Sequence, residues 1–471
     1  MADNPIANLI PRGSLGLKLL LVCLLVLVMA IPLFIVGLQV NDRQTRANQV
    51  TAEIGEGAGG AQIVGGPMLL VPYEHRTQWT DDRGQTQTRT DRGSYLIFAE
   101  TGTANTNLHV EDRHHGIYRA AVYTATTDFT AHFRPQEALK NVDPSFALNW
   151  NAARFVMFVR DSRAIRDAAE LRFADGTTAT LEPMSDFQVR AAVSTPNGDR
   201  YIPPADATLQ AFAAPAPFTA PPAEFALTTH LVLGGAQRFS LAAFAQDTSA
   251  RIAGDRTDVS ADGYFQTVDP LRPLQNNFTA SWRVPFVARG VDKAVDLATF
   301  NLDTLSSRDM AVSFVSANDV YRGVARAVSY GIMFIGIVFL ATLIFEAVSG
   351  RKAHPAQYIL VGLAQCVFYL LLLSITELLG FDTAFIIAAA ATVLLLAYYA
   401  GASFRSASVG VKSLFGLTLL YGAMYVLMTL EDFGMLAGSL VAFLVIAATM
   451  IATRRIDWYG RRASAEPLAA K

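Results

Sequence analysis

The densest cluster of chemically reactive side chains in the sequence is the run Glu111-Asp112-Arg113-His114-His115. Carboxylates and imidazoles are common metal ligands. Adjacent residues of a strand point to opposite faces of a sheet, so His114 and His115 can bind one ion only from a loop, and Arg113 adds an unfavourable charge. Four other histidines are scattered singly, and we interpret them as surface or hydrogen-bonded strand residues: His75, His109, His132 and His230. The sequence therefore predicts no metal site and no cofactor.

Motifs of common enzymes are missing from the sequence. It has no His-Glu-x-x-His, no Gly-x-Ser-x-Gly, no nucleotide-binding loop and no cysteine pair. The glycine-rich stretch from Gly55 to Gly66 lacks a following Lys-Ser or Lys-Thr, so we interpret it as a flexible entry into a first strand. We predict no catalytic residue and a protein that is not an enzyme. For an envelope hydrolase, His114 and His115 would be the best remaining candidates.

Hydrophobic segments of membrane-spanning length set the architecture that must position any site. A helical crossing needs roughly 20 apolar residues. Six segments qualify: Leu15 to Leu38, Val328 to Val348, Tyr358 to Thr376, Thr383 to Tyr399, Leu414 to Leu430 and Met435 to Thr453. We predict an N-terminal anchor (1–38), a large inserted domain (39–327), a bundle of the remaining helices (328–453) and a tail (454–471).

Basic residues in short loops predict the orientation. One face of the bundle carries Arg351, Lys352, Arg405, Lys412, Arg454, Arg455, Arg461, Arg462 and Lys471, and the opposite short loops carry Glu377, Asp382, Glu431 and Asp432. We expect cytoplasmic N- and C-termini and a periplasmic domain. The first segment has the basic start of a signal peptide, but its apolar run continues past Ala30 to Leu38, which favours a retained anchor.

The composition of the chain excludes one class of binding partner. The net charge is −2 and 17% of the residues are charged, so the chain has no positive field that would attract nucleic acid. Both cysteines, Cys23 and Cys366, lie in predicted helices. The inserted domain must therefore be stabilised by its core rather than by disulfides.

The inserted domain is expected to be rich in strands and sandwich-like. Runs typical of strands are Pro67 to Tyr73, Ser94 to Ala99, Gly116 to Thr124, Ala152 to Arg160, Glu170 to Ala174 and Glu224 to Leu233. Glycines at Asp175-Gly176 and Gly234-Gly235 predict two hairpin turns. The segment Pro203 to Pro222 is too rich in proline for a central strand, so it is either a linker between two lobes or a long edge crossing.

The predicted bundle has few ionisable residues. Lys18, Glu346 and Glu377 lie near segment ends, from which we expect them to reach the interface. Gln365 and Ser374 are expected to hydrogen-bond neighbouring helices. Ion-coupled transport is therefore poorly supported.

Small residues predict where the helices pack. Two sets fall four residues apart on one helix face: Gly434, Gly438 and Ala442, and Ala384, Ala388 and Thr392. Such faces allow close approach of backbones. We expect a compact bundle packed within one chain, while the oligomeric state stays open.

Several strings resemble the CreD family of bacterial inner-membrane proteins. They include Ser329 to Ile335, His354 to Ala364 and Phe368 to Ser374 in the bundle, and Gly65-Gly66-Pro67 and Arg113 to Tyr123 in the inserted domain. The resemblance covers most of the chain. It implies a protein of the Gram-negative inner membrane linked to envelope integrity and colicin tolerance, in a stress-responsive regulon, with no established catalytic activity.

Two functional hypotheses follow from these features. The first is a non-enzymatic protein whose periplasmic domain binds an envelope partner while the bundle contacts membrane lipids. The second is a transporter or flippase-like protein, which would need a cavity with polar lining among the last helices. His354-Pro355 is expected to begin the third helix, with Arg351 and Lys352 beside it in a loop of the basic face.

Overall fold

The computed structural model describes residues 15–80, 85–190, 193–194, 200–201, 208–271, 277–301, 303–314, 319–349, 353–429 and 434–454. It divides into two compact units. One comprises Met1–Asn48 and Asn318–Lys471, and the other comprises Gln49–Ala317.

The first helix, α1 (Leu15–Gly57), is longer than the predicted anchor. The apolar run ends at Leu38, but the following residues include many good helix formers and no proline, so the helix continues. The glycine-rich stretch is also more regular than expected. Gly55 and Gly57 close the helix, Gly59 and Gly60 take positive φ in a turn, and Gly65 and Gly66 lie in the first strand.

The unit Gln49–Ala317, called the β-rich unit below, is built mainly from strands β1 to β19 and three short α-helices. The first strands are β1 (Gln62–Thr80), β2 (Thr86–Ile97), β3 (Ala99–His115), β4 (Tyr118–Phe133), β5 (Phe146–Leu148), β6 (Arg154–Val159), β7 (Glu170–Phe173), β8 (Thr178–Thr180), β9 (Glu182–Arg190) and β10 (Val193–Ser194). The others are β11 (Arg200–Tyr201), β12 (Thr208–Pro215), β13 (Phe225–Ala236), β14 (Arg238–Ala242), β15 (Ala245–Gly254), β16 (Val259–Ala261), β17 (Phe278–Val284), β18 (Ala294–Asp296) and β19 (Asp309–Phe314). The short helices are α2 (Pro135–Ala138), α3 (Phe286–Arg289) and α4 (Asp303–Ser307).

Two large sheets enclose the core of this unit. One has the order β16-β19-β14-β1-β6-β12-β9, with β2, β5 and β18 attached, and the other has the order β17-β15-β3-β4-β13-β7-β8. Aromatic rings from the two sheets meet between them: the centroids of Phe133 and Phe155 are 6.0 Å apart, and those of Phe155 and Phe173 are 5.5 Å apart. The predicted β-rich domain is confirmed, and facing apolar strands bury its core.

One predicted hairpin is confirmed and the other is wrong. β7 and β8 pair antiparallel across Asp175-Gly176, and Gly176 has the positive φ that such a turn needs. Gly234 and Gly235 instead lie inside β13 and pair with β4, while β14 belongs to the other sheet. A Cβ at Gly235 would collide with the ring of Tyr123. Glycine is needed there for close packing rather than for a turn.

The proline-rich segment also differs from the prediction. Its part Thr208–Pro215 forms β12, which pairs with β6 on one side and β9 on the other. Pro215 is the last residue of the strand, so the residues before it keep their backbone donors. This part therefore belongs to the larger sheet and not to a linker between lobes, while Pro203 lies outside the described residues.

The other unit, the membrane unit, contains α1 up to Asn48 together with α5 (Asp319–Ser349), α6 (Pro355–Leu379), α7 (Phe381–Ser403), α8 (Ala407–Thr429) and α9 (Gly434–Thr453). The described parts of α1, α5, α6, α7 and α8 are long and apolar enough to cross a membrane, and α9 adds an apolar helix of 20 residues. The predicted arrangement of one helix, an inserted β-rich domain and five further helices is confirmed.

Small residues occupy packed faces of the bundle, as predicted. Ala384 and Ala388 on α7 are completely buried, and Thr392 is nearly so. On α9, a Cβ at Gly438 would lie 3.0 Å from the ring of Tyr330, so the glycine lets α9 approach α5 within this chain.

Candidate functional site

An ionic cluster lies where α1, α5 and α6 meet. Glu346 is only 4% exposed, and it accepts hydrogen bonds from the Lys18 ammonium group and, at 3.2 Å, from the Tyr358 hydroxyl. The sequence predicts that Glu346 lies near the end of its segment, and in the structure its carboxylate is buried among the helices there. The carboxylate stays buried because a cation and a hydroxyl partner offset part of its desolvation.

A second cluster, again of one basic residue, one glutamate and one tyrosine, joins these helices further along α1. A guanidinium nitrogen of Arg43 lies 3.6 Å from Glu377, which also accepts a 3.2 Å hydrogen bond from the Tyr321 hydroxyl. In the first cluster α5 supplies the glutamate and α6 the tyrosine, whereas in the second α6 supplies the glutamate and α5 the tyrosine. Each of these two helices has its tyrosine near the start and its glutamate near the end. Residues 18 and 43 are separated by about 37 Å of helix axis, so the basic residues of α1 contact opposite ends of the α5–α6 pair.

The start of α6 explains the His-Pro-x-Gln-Tyr string. His354 precedes the helix, and its Nδ1 accepts a 3.2 Å hydrogen bond from the Ala356 amide. The Oε1 atom of Gln357 in turn accepts a 3.1 Å hydrogen bond from the His354 backbone amide. Pro355 takes the first helical position, as predicted. Tyr358 then faces Glu346, so this string caps the helix and supplies one member of the ionic cluster.

A cavity of about 650 Å³ lies among α5, α6, α7, α8 and α9. Its volume falls in the range of roughly 300–1,000 Å³ that is typical of small-molecule sites. The lining is mostly aliphatic and aromatic, and its polar members are Thr342, Gln357, Tyr358, Tyr399, Ser403, Lys412 and Ser413. A cavity is therefore present among the last five helices, but its walls are mainly apolar and not polar as the transporter hypothesis requires.

Three polar side chains of the wall, those of Thr342, Gln357 and Tyr358, make hydrogen bonds within the protein. Thr342 donates to the Val338 carbonyl at 2.8 Å, and Tyr358 donates to Glu346. Gln365, outside the cavity, behaves similarly, because its amide lies 3.5 Å from the Val361 carbonyl of its own helix rather than reaching a neighbouring helix as predicted. The other polar side chains of the lining are those of Tyr399, Ser403, Lys412 and Ser413.

The β-rich unit does not assemble the histidines into one site. His114 and His115 stand at the end of β3, opposite Arg119 and Tyr118 of β4. Within the residues that the structure describes, no group of three or more His, Cys, Asp or Glu side chains could hold a metal ion.

The scattered histidines make separate surface contacts. His109 Nδ1 lies 2.5 Å from Asp255, and His230 Nδ1 lies 2.6 Å from Asp128. The His75 ring stacks on Phe146 with 4.5 Å between centroids, and His132 lies 3.8 Å from Glu100. The hydrogen bond that His109 donates to Asp255 raises the pKa of His109 above its usual value. These contacts agree with the interpretation as surface or hydrogen-bonded strand residues.

Two β ribbons extend beyond the shared parts of the sheets. In the described strand ladders, residues 76–80 of β1 pair only with residues 86–90 of β2, and residues 109–115 of β3 pair only with β4. Trp79 on the first ribbon and Ile117 at the turn of the second are each 47% exposed. Both ribbons therefore present apolar side chains and strand edges to solvent.

Comparison with known proteins identifies the family. A family model described as "Inner membrane protein CreD" matches residues 14–459. The chain belongs to the CreD family. Inner membrane protein CreD of Escherichia coli (strain K12) is 26% identical over 441 residues, which cover 92% of this chain and 91% of that protein. The predicted resemblance is confirmed, and this CreD-family chain is a multi-pass protein of the inner membrane.

A solved structure gives a much weaker likeness. It is a crystal structure from Parabacteroides distasonis ATCC 8503 whose description proposes a protease, with 9% identity, coverage of 57% of each chain and a TM-score of 0.23. At this TM-score the likeness supports no inference about fold or activity.

Proposed function

We propose that this CreD-family protein maintains the integrity of the cell envelope under stress without catalysing a reaction, and that its β-rich unit binds an envelope partner. The observation that carries the proposal is the pair of β ribbons with solvent-exposed edges. Extended partners commonly bind by adding a strand to such an edge, with apolar side chains adding affinity. Trp79 supplies an aromatic side chain of the kind that dominates binding energy at interfaces.

The proposal includes the orientation of the chain. Both termini lie in the cytoplasm and the β-rich unit lies in the periplasm, which is supported by the basic residues of the short loops. Protease treatment of spheroplasts should digest the region 49–317 and spare the C-terminal tail. Protection of that region with loss of the tail would reverse the orientation.

Site-specific photocrosslinking in intact cells tests the partner. A photoreactive residue replaces Trp79 or Ile117, and a matched control replaces Thr178, an exposed residue of β8 away from both ribbons. We expect a discrete crosslinked product from the ribbon positions and none from Thr178. No product from either ribbon, with the protein present at its normal level, would contradict the proposal.

The cavity of the bundle supports a second candidate function, movement of an envelope component across the inner membrane. Its mainly apolar walls suit an amphiphile better than an ion. Proteoliposomes containing the full chain should accelerate the exchange of a fluorescent lipid between leaflets. A rate equal to that of protein-free liposomes would count against this candidate.

A further inference from the structure

The cavity among α5 to α9 opens towards the side of the bundle. Leu419 on α8 and Leu444 on α9 belong to its lining, yet they are 67% and 56% exposed. Both residues lie within helices that cross the membrane. The cavity is therefore reached from the hydrocarbon region of the bilayer, between α8 and α9.

The dimensions of the cavity suit an extended apolar chain. On α8 the lining begins at Val409 and continues to Ala423, which corresponds to about 21 Å of helix axis. Apolar cavities favour apolar occupants over water because their walls offer water too few hydrogen bonds. An acyl chain entering from the bilayer would meet a mostly apolar wall.

One end of the cavity carries positive charge. The Lys412 side chain lies on the first turns of α8, is exposed, and forms part of the lining. Arg405, in the turn just before α8, adds a second basic residue at this end of the helix. Clusters of basic residues at the ends of membrane helices attract anionic headgroups.

We propose that the cavity binds an acyl chain of an anionic glycerophospholipid from the surrounding bilayer, with the lipid phosphate beside Lys412. The inference uses the cavity that supports the second candidate function, but it concerns occupancy and does not require transport. A bound lipid would fill the space among these helices and would couple their packing to the composition of the membrane.

A pair of glycines on α8 provides a matched test. Gly416 lines the cavity and Gly422 does not, and in both cases a Cβ would have no atom within 4 Å. Gly416→Trp should fill the cavity, whereas Gly422→Trp adds the same side chain to the same helix outside it. The full chain is placed in nanodiscs of equimolar phosphatidylglycerol and phosphatidylethanolamine, released into the gas phase and examined by native mass spectrometry.

We expect the wild type to retain phosphatidylglycerol and Gly422→Trp to resemble it. Gly416→Trp should lose about nine-tenths of the bound phosphatidylglycerol, which corresponds to an affinity about tenfold weaker. Equal retention by the two tryptophan variants, or no retained phosphatidylglycerol in the wild type, would overturn the proposal. Gel filtration and thermal melting establish that both variants are folded.

The headgroup contact is tested separately. Lys412→Gln should reduce the preference for phosphatidylglycerol over phosphatidylethanolamine by about fivefold, and Lys412→Arg should keep it. An unchanged preference in Lys412→Gln would refute the assignment of the phosphate.

A second measurement does not depend on any variant being folded. A phospholipid with a photoreactive group in its acyl chain is incorporated around the wild-type protein and crosslinked. The labelled peptides should come from the cavity-facing parts of α8 and α9. Labelling spread evenly over the outer surface of the bundle would contradict a specific site.

Discussion

The β-rich unit and the membrane unit bury charge in different ways. In the β-rich unit Arg238 lies between two carboxylates, with nitrogen–oxygen distances of 2.9 Å to Asp309 and 3.4 Å to Asp262. In the membrane unit, Glu346 and Glu377 each pair with one basic residue of α1 and one tyrosine near the ends of helices. A folded sheet can surround a charge with partners from several strands, whereas a bilayer confines charged groups to positions near the interface.

Removing the buried cation of the β-rich unit is expected to have the largest effect. Arg238→Met leaves Asp309, which is 5% exposed, without its cation. We expect a loss of about 3–5 kcal/mol in the free energy of unfolding, measured by pulse proteolysis of the full chain, because an unpaired buried charge remains.

Arg163→Met is the control for this change. Arg163 also pairs with a carboxylate, Asp161, but its side chain is 80% exposed. Exposed ion pairs contribute little to stability because water and salt screen them, so this variant should differ little from the wild type. Equal losses in the two variants would show that burial does not distinguish these pairs.

The ionic clusters of the bundle should show an intermediate effect. Glu346→Gln removes the charge that Lys18 and Tyr358 contact, and hydrogen bonds to charged groups contribute about 1.5–3 kcal/mol. Glu377 is more exposed, at 13%, so Glu377→Gln should cost less. Unfolding in mixed detergent micelles measures both.

A double variant sharpens this prediction. If Lys18 and Glu346 act as a pair, Lys18→Met should destabilise the wild type more than it destabilises the Glu346→Gln background. Additive losses would mean that the two residues contribute independently.

Close packing at Gly235 predicts a smaller loss. Gly235→Ala places a methyl group against the Tyr123 ring, whose hydroxyl donates a 2.7 Å hydrogen bond to the Arg238 carbonyl. Overpacking of this kind costs about 1–3 kcal/mol. The loss from Gly235→Ala should shrink in a Tyr123→Phe background, because the hydroxyl is among the atoms that the methyl group meets. A chemical denaturation series of the single and double variants tests this, and an unchanged loss would exclude the contact as the cause.

The smallest effect concerns pH at the surface of the β-rich unit. The pKa of His109 is raised chiefly by its hydrogen bond to Asp255. A raised folded-state pKa stabilises the protein below the ordinary histidine pKa, and this contribution is lost as pH rises through the folded value. Asp255→Asn should lower the midpoint of the His109 titration, followed by NMR. An unchanged midpoint would show that this hydrogen bond does not raise the pKa of His109.

Local patterns predicted much of this molecule. Hydropathy found the membrane helices, and the strand-like runs and the Asp175-Gly176 turn were correct, because each depends on a few neighbouring residues. His354-Pro355 likewise marked a helix start through cap chemistry alone. The error at Gly234-Gly235 has a physical reason, since a glycine pair serves a tight turn and a crowded strand equally well.

The sequence alone therefore determined the order of the membrane helices around a β-rich domain, the membrane location and the family. Only the tertiary structure decided that Lys18 meets Glu346 across 328 positions, that β12 lies inside a sheet, and that α5 to α9 leave a cavity open to the side. A paired tyrosine and glutamate in two consecutive spans was the available signal for the clusters, but it does not specify a partner. Pairing and cavities depend on which distant surfaces meet, and local propensity carries no information about that choice.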